Sequence, residues 1–154
     1  MAHPEEKLAE LGLSVPAVAT PVAVYVPAVR SGAHVFTSGQ LPMRSGELIM
    51  AGKVGGDVSL EEAVECAQQC ALNAIAAVKA ELGDLARVAR VVKVVCFVAS
   101  TPDFTAQPQV ANGVSELLGT VFGDAGIHAR SAVGVSVLPL DAPVEVEIVV
   151  EVTD

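Results

Sequence analysis

Residues 144–152 read VEVEIVVEV: Val144, Val146, Ile148, Val150 and Val152 share one side of an extended chain, and Glu145, Glu147 and Glu151 share the other. A helix would scatter those valines around its circumference, so this run predicts a β-strand with one buried face. Residues 129–137, ARSAVGVSV, come just before it, across a turn containing Pro139, Asp141 and Pro143, and predict a companion strand. Apolar parity there falls on Ala129, Val133, Val135 and Val137, which leaves Arg130, Ala132, Gly134 and Ser136 on a small, polar face. Arg130 is the only Lys or Arg after Lys93. On spacing alone it has two readings of equal weight: a cross-strand partner of Glu145 or Glu147, or a clamp for an anionic ligand.

Upstream, PEEKLAEL (residues 4–11) carries Pro in its first turn, acids near its start and Gly12 beyond its end, which predicts a short helix docked through Leu8 and Leu11. A connector to Pro21 leads to a predicted strand over Val22–Val29 and another over His34–Ser38, with a third extended piece near Leu48–Ile49. Ser59-Leu60-Glu61-Glu62 has capping-box spacing, and the helical period after it runs to Leu82, with Gly83 to end it. Val88–Ala99 is almost continuously apolar and predicts a central strand covered on both faces. Val110, Val114, Leu117, Leu118 and Val121 form the inner stripe of a second long helix that starts after Pro108 and runs to about Phe122. Three strands, helix, strand, helix and two strands make an α+β two-layer domain with two helices on one face. The second face of the central strand then needs a cover, and another copy of the chain is the simplest one.

At 154 residues the chain is the size of one domain. A formal net charge of −9, with no basic run, argues against a nucleic-acid partner. No apolar stretch is long enough to span a bilayer, and the charged N-terminus lacks the core of a signal peptide, so the expected location is cytoplasmic. Cys66, Cys70 and Cys96 lack metal-type spacing and read as small buried thiols. Neither they nor His3, His34 and His128 predict a metal site.

Three segments together resemble the reactive-intermediate deaminases, the Rid or YjgF-like family. Tyr25 followed by Pro27-Ala28-Val29, then VFTSGQLP (residues 35–42), is similar to the family's tyrosine strand and SGQ-P signature. ARS (residues 129–131), Leu138-Pro139 and VEVE (residues 144–147) are similar to its C-terminal signature. The resemblance spans roughly residues 18–152, which makes residues 1–17 an added helix and connector before a YjgF-like domain at 18–154.

It implies a chorismate-mutase-like fold, a six-stranded mixed sheet with two helices on one face. Three copies would assemble with sites in the clefts between them. It also implies hydrolysis of enamine or imine intermediates of the 2-aminoacrylate type to a 2-keto acid and ammonia, without cofactor or metal. Carried over by residue, Arg130 grips the substrate carboxylate, and Glu145 positions a water and handles protons. Gly39 lets the backbone approach the substrate, Tyr25 lines the pocket, and Asn112 matches the pocket asparagine.

Two positions depart from the pattern: Ala132 stands where the family carries cysteine, and His128 where it carries proline. These departures motivate an alternative, a protein that binds a small carboxylate-bearing metabolite in the same cleft without turning it over.

Overall fold

The computed structural model of the chain describes residues 2–18 and 24–154. Helix α1 (Pro4–Glu10) is capped by His3, whose side chain accepts from the Glu5 amide. Leu8 is fully buried, but Leu11 stands 47% exposed, so one leucine docks this helix, not two. Polar ties complete the docking: His3 Nε2 lies 2.8 Å from Asp84 Oδ1, and Lys79 Nζ lies 2.6 Å from Glu5 Oε1.

The first strand, β1 (Ala28–Ser31), begins later than the valine run suggests. Residues 24–27 are irregular, while Val22 and Ala23 lie outside the described residues. Strand β2 (His34–Thr37) pairs antiparallel with β1. Next come two short strands, β3 (Met43–Arg44) and β4 (Glu47–Leu48), which pair only with each other.

The main sheet therefore has five strands rather than the expected six, in the order β1-β2-β7-β5-β6. The third extended piece is part of a separate hairpin. Two buried amides explain its position. On helix α2 (Leu60–Leu82), Asn73 donates from Nδ2 to the Leu41 and Met43 carbonyls, each at 3.0 Å. Gln69 donates to Asn73 Oδ1 at 3.2 Å, so the backbone after the SGQ motif is bonded to the helix instead of to a sheet neighbour.

Helix α2 starts with the anticipated capping box: Ser59 Oγ accepts from the Glu62 amide, and Glu62 accepts from the Ser59 amide. It packs beside α3 (Gln107–Phe122), whose predicted inner stripe is buried. Between them in sequence lies β5 (Val88–Ala99), the longest strand.

Strands β6 (Ala129–Val135) and β7 (Val144–Val152) are not neighbours, contrary to the expected pairing. Strand β5 lies between them, parallel to β6 and antiparallel to β7. The connection turns at Leu140 and Asp141, both at positive φ (60° and 61°), and crosses from one side of β5 to the other. A tight hairpin would have kept the two strands together.

Burial alternates along β5 and β7. Val94, Cys96, Val98, Val144 and Val146 are fully buried beneath the helices, while Val95, Phe97, Glu145 and Glu147 look out from the other face. In one chain the central strand is covered on one side only. The apolar parity of β6 also lies opposite to expectation, since Val133 is on the open face and 44% exposed. Its small residues are the ones that meet α3. A Cβ on Gly134 would stand 2.9 Å from Gln107 Nε2, a side chain at the start of that helix. Among the described residues, no helix is long and apolar enough to cross a membrane.

Candidate functional site

Asn112 and Ser115 are one turn apart on α3 and point the same way, toward edge strand β6. Arg130 reaches up from β6 to meet them. Its Nη1 donates to Asn112 Oδ1 at 2.9 Å and to Ser115 Oγ at 3.1 Å. Both partners are neutral. Among the described residues, no carboxylate lies within 4.0 Å of this half-buried guanidinium. The reading of Arg130 as a cross-strand partner of Glu145 or Glu147 thus finds no contact in this chain, and a positive charge is left uncompensated. That charge reaches Cys96 on the same face, where it partly offsets the burial that pushes the thiol up to about 12.

Glu145 belongs to a different group. Its ladder partner is Phe97, on the open face, whereas Arg130 pairs with Val94 on the helix face. The two residues that the resemblance makes catalytic therefore stand on opposite faces of the sheet, two strands apart. What lies beside Glu145 is Gly39. A Cβ at position 39 would sit 2.3 Å from Glu145 Oε2 and 2.7 Å from its Cδ, so the carboxylate occupies space that any other residue would fill. Gln40 holds this arrangement through two backbone bonds with Val146, of 2.8 and 3.0 Å. Burial first, and then the charge of Glu147, raise the pKa of the Glu145 carboxyl above its ordinary value.

Tyr25 is 49% exposed, in the irregular segment before β1. The segment is tied to the SGQ motif: Ser38 Oγ donates to the Val26 carbonyl at 2.6 Å, and the Ser38 amide donates to that of Pro27 at 2.8 Å. The five predicted residues thus separate into two half-sites. Arg130 with Asn112 forms one, beneath α3. Glu145 with Gly39, next to the segment bearing Tyr25, forms the other on the open face.

Sequence reasoning missed Ser115 and the part played by His128. Ser115 Oγ lies 2.9 Å from His128 Nε2, and His128 Nδ1 lies 2.6 Å from the Gly126 carbonyl. The only early signal was the nearness of His128 to Arg130 in the chain. Among the described residues, no cluster of His, Cys, Asp or Glu suits a metal ion. The three thiols are buried and unpaired, and burial pushes Cys66 up to about 11 and Cys70 well above its ordinary value.

Comparison with known proteins fits this architecture. The chain is 46% identical over 148 residues to protein TCP17 of Trypanosoma cruzi, an alignment covering 96% of this chain and 92% of that one. The crystal structure of Atu1372 from Agrobacterium tumefaciens, described as a protein with unknown function, superposes with a TM-score of 0.92 at 46% identity, covering 97% of this chain and 92% of that one. A Shewanella oneidensis structure described as a "putative endoribonuclease" gives a TM-score of 0.95 at 31% identity, covering 98% and 100% of the two chains. The family described as "YjgF/chorismate_mutase-like, putative endoribonuclease" matches residues 5–152, nearly the whole chain, and with the SGQ and ARS segments already in place this protein belongs to that YjgF-like family.

Proposed function

We propose that the chain hydrolyses enamine or imine intermediates of the 2-aminoacrylate type to a 2-keto acid and ammonia. The observation that carries this reading is Arg130, a half-buried guanidinium braced by neutral oxygens and left without a carboxylate among the described residues. An organic anion is the natural complement of such a group. In the reaction, an enamine first takes a proton at its methylene carbon and loses one from nitrogen to become the imine; water then adds to the imine carbon as the C=N π bond opens and nitrogen takes a proton. The carbinolamine then expels ammonia, and loss of its hydroxyl proton leaves the keto acid. Glu145, with proton affinity raised by burial, suits the transfer of those protons.

The separation of the half-sites supports a shared cleft. Arg130 and Glu145 of one chain point away from each other, so a substrate touched by both draws them from two copies, as in the homotrimer the family resemblance implies. The open sheet face, with Val29, Phe36 and Val133 all 44% exposed or more, supplies surface for such an assembly. Three buried, unpaired thiols suit the reducing cytoplasm.

A second reading needs only one half-site: Arg130 and Asn112 bind a small carboxylate, and no turnover follows. The ribonuclease activity named in the family's description is less well supported by a chain of net charge −9.

One assay separates these readings. Purified protein is added to 2-aminoacrylate generated in situ, and ammonia and keto acid are followed with time. The proposal expects clear acceleration over buffer, lost in Arg130→Ala. No acceleration, together with calorimetric binding of 2-ketobutyrate, would leave the binding protein instead. Cleavage of RNA by the same preparation, unchanged in Arg130→Ala, would overturn both.

A further inference from the structure

The hydrogen bonds behind Arg130 form a chain that begins at a donor and ends at an acceptor. A guanidinium can only donate and a backbone carbonyl can only accept. Between these two ends, Arg130 Nη1 donates to Ser115 Oγ at 3.1 Å, and the Ser115 hydroxyl lies 2.9 Å from His128 Nε2. His128 Nδ1 lies 2.6 Å from the Gly126 carbonyl. The Gly126 carbonyl can only accept, which places an imidazole hydrogen on Nδ1; in the neutral ring Nε2 is then an acceptor, and the Ser115 hydroxyl donates to it. The far end is firmly anchored. A Cβ on Gly126 would stand 2.2 Å from the Leu118 carbonyl oxygen, so the Gly126 backbone presses against α3 itself.

This chain settles which edge of the guanidinium is free. Asn112 and Ser115 both accept from Nη1. Nε–H and the Nη2 hydrogens, which meet no acceptor among the described residues, form the side-on edge that matches the two oxygens of one carboxylate. A guanidinium free to rotate would offer its end-on edge as well, and would lose rotamer freedom on binding.

We propose that Ser115 and His128 are positioning residues for Arg130. They hold Nη1 so that the Nε–Nη2 edge receives one small 2-oxo or 2-imino monocarboxylate in a single orientation. This deepens the reading of Arg130 as the carboxylate clamp and rests on it.

The test measures 2-ketobutyrate affinity by calorimetry, and kcat and KM with 2-aminoacrylate, in Ser115→Ala, Ser115→Thr, His128→Leu, His128→Gln and Arg130→Ala. Ser115→Ala and His128→Leu are expected to weaken binding and raise KM about tenfold, with kcat within about twofold of the parent. Ser115→Thr keeps the hydroxyl, and His128→Gln keeps an acceptor for it, so both should recover most of the affinity. Normal binding in Ser115→Ala and His128→Leu, with none in Arg130→Ala, would overturn the positioning role and leave the clamp standing. Normal binding in Arg130→Ala would remove the clamp itself. Should Ser115→Ala fold poorly, the His128 pair decides. Equal losses in Leu and Gln, with kcat falling alongside melting temperature, would mark a structural role and overturn the proposal.

Discussion

The Glu145 carboxylate fills the place where a side chain at position 39 would begin, and this gives a sharp test of single atoms. The nearest atoms to a Cβ there are the far end of a flexible glutamate, which can swing aside at little cost. Gly39→Ala should therefore fold with a stability change under about 1 kcal/mol, yet displace the carboxylate and lower kcat about tenfold or more. Denaturant melts set beside turnover would check the split; a large loss of stability with normal turnover would count against it.

Glu145 carries a second prediction. Its folded pKa is raised by burial and by Glu147, so the folded chain holds that proton more tightly than the unfolded one does. Stability is then lost as pH rises from the ordinary carboxylate range through the raised value, and the full cost is present above it. Glu145→Gln should melt higher than the parent at neutral pH, and the gap should close as pH falls below the ordinary carboxylate range. At this scale the sequence marked Arg130 as a lone late cation but was silent on Ser115. A serine's meaning here depends on a loop histidine thirteen positions away, bonded to it only after α3 and β6 have packed.

Helices and strands were legible where a periodic face was both long and buried. The α2 capping box, the inner stripe of α3 and the alternation of β7 all qualify. Strand β6 was misread because parity reveals two faces but not which one a helix covers. Small residues face α3 here, with the Gln107 side chain filling the space above Gly134, and Val133 is left outside. Strand order was equally hidden, since β5 enters between β6 and β7 through pairings made far along the chain.

The contact between α2 and α3 gives the prediction at this scale. A Cβ on Gly113 would stand 2.5 Å from the Val64 carbonyl oxygen, which is backbone and cannot swing aside. Gly113→Ala should cost about 1–3 kcal/mol in denaturant unfolding as the helices are pushed apart. The neighbouring Asn112 would move with α3, so keto-acid affinity should fall in the same variant. An undisturbed melt would mean that the helices repack without penalty.

For the whole molecule, the opposed half-sites make a prediction that no single chain can satisfy. Arg130 lies under the helices and Glu145 on the open face, and the sheet between them is filled by fully buried Val94, Cys96 and Val146. Within one chain the two side chains face away from each other. If both act on the same molecule, each site combines Arg130 of one copy with Glu145 of another. Arg130→Ala and Glu145→Gln proteins should then be inactive separately but active when unfolded together and reassembled. With equal amounts and random assortment in a closed ring, about a quarter of the sites receive both intact residues. Turnover should recover to about a quarter of the parent's, with unchanged KM at those sites. Homogeneous variants refolded separately and mixed afterwards should recover less, in proportion to how slowly subunits exchange. A reassembled mixture as dead as its parts, in preparations whose mass confirms mixed oligomers, would mean that Glu145 does not share a substrate with Arg130. The carboxylate clamp would then have to work with groups on its own side of the sheet.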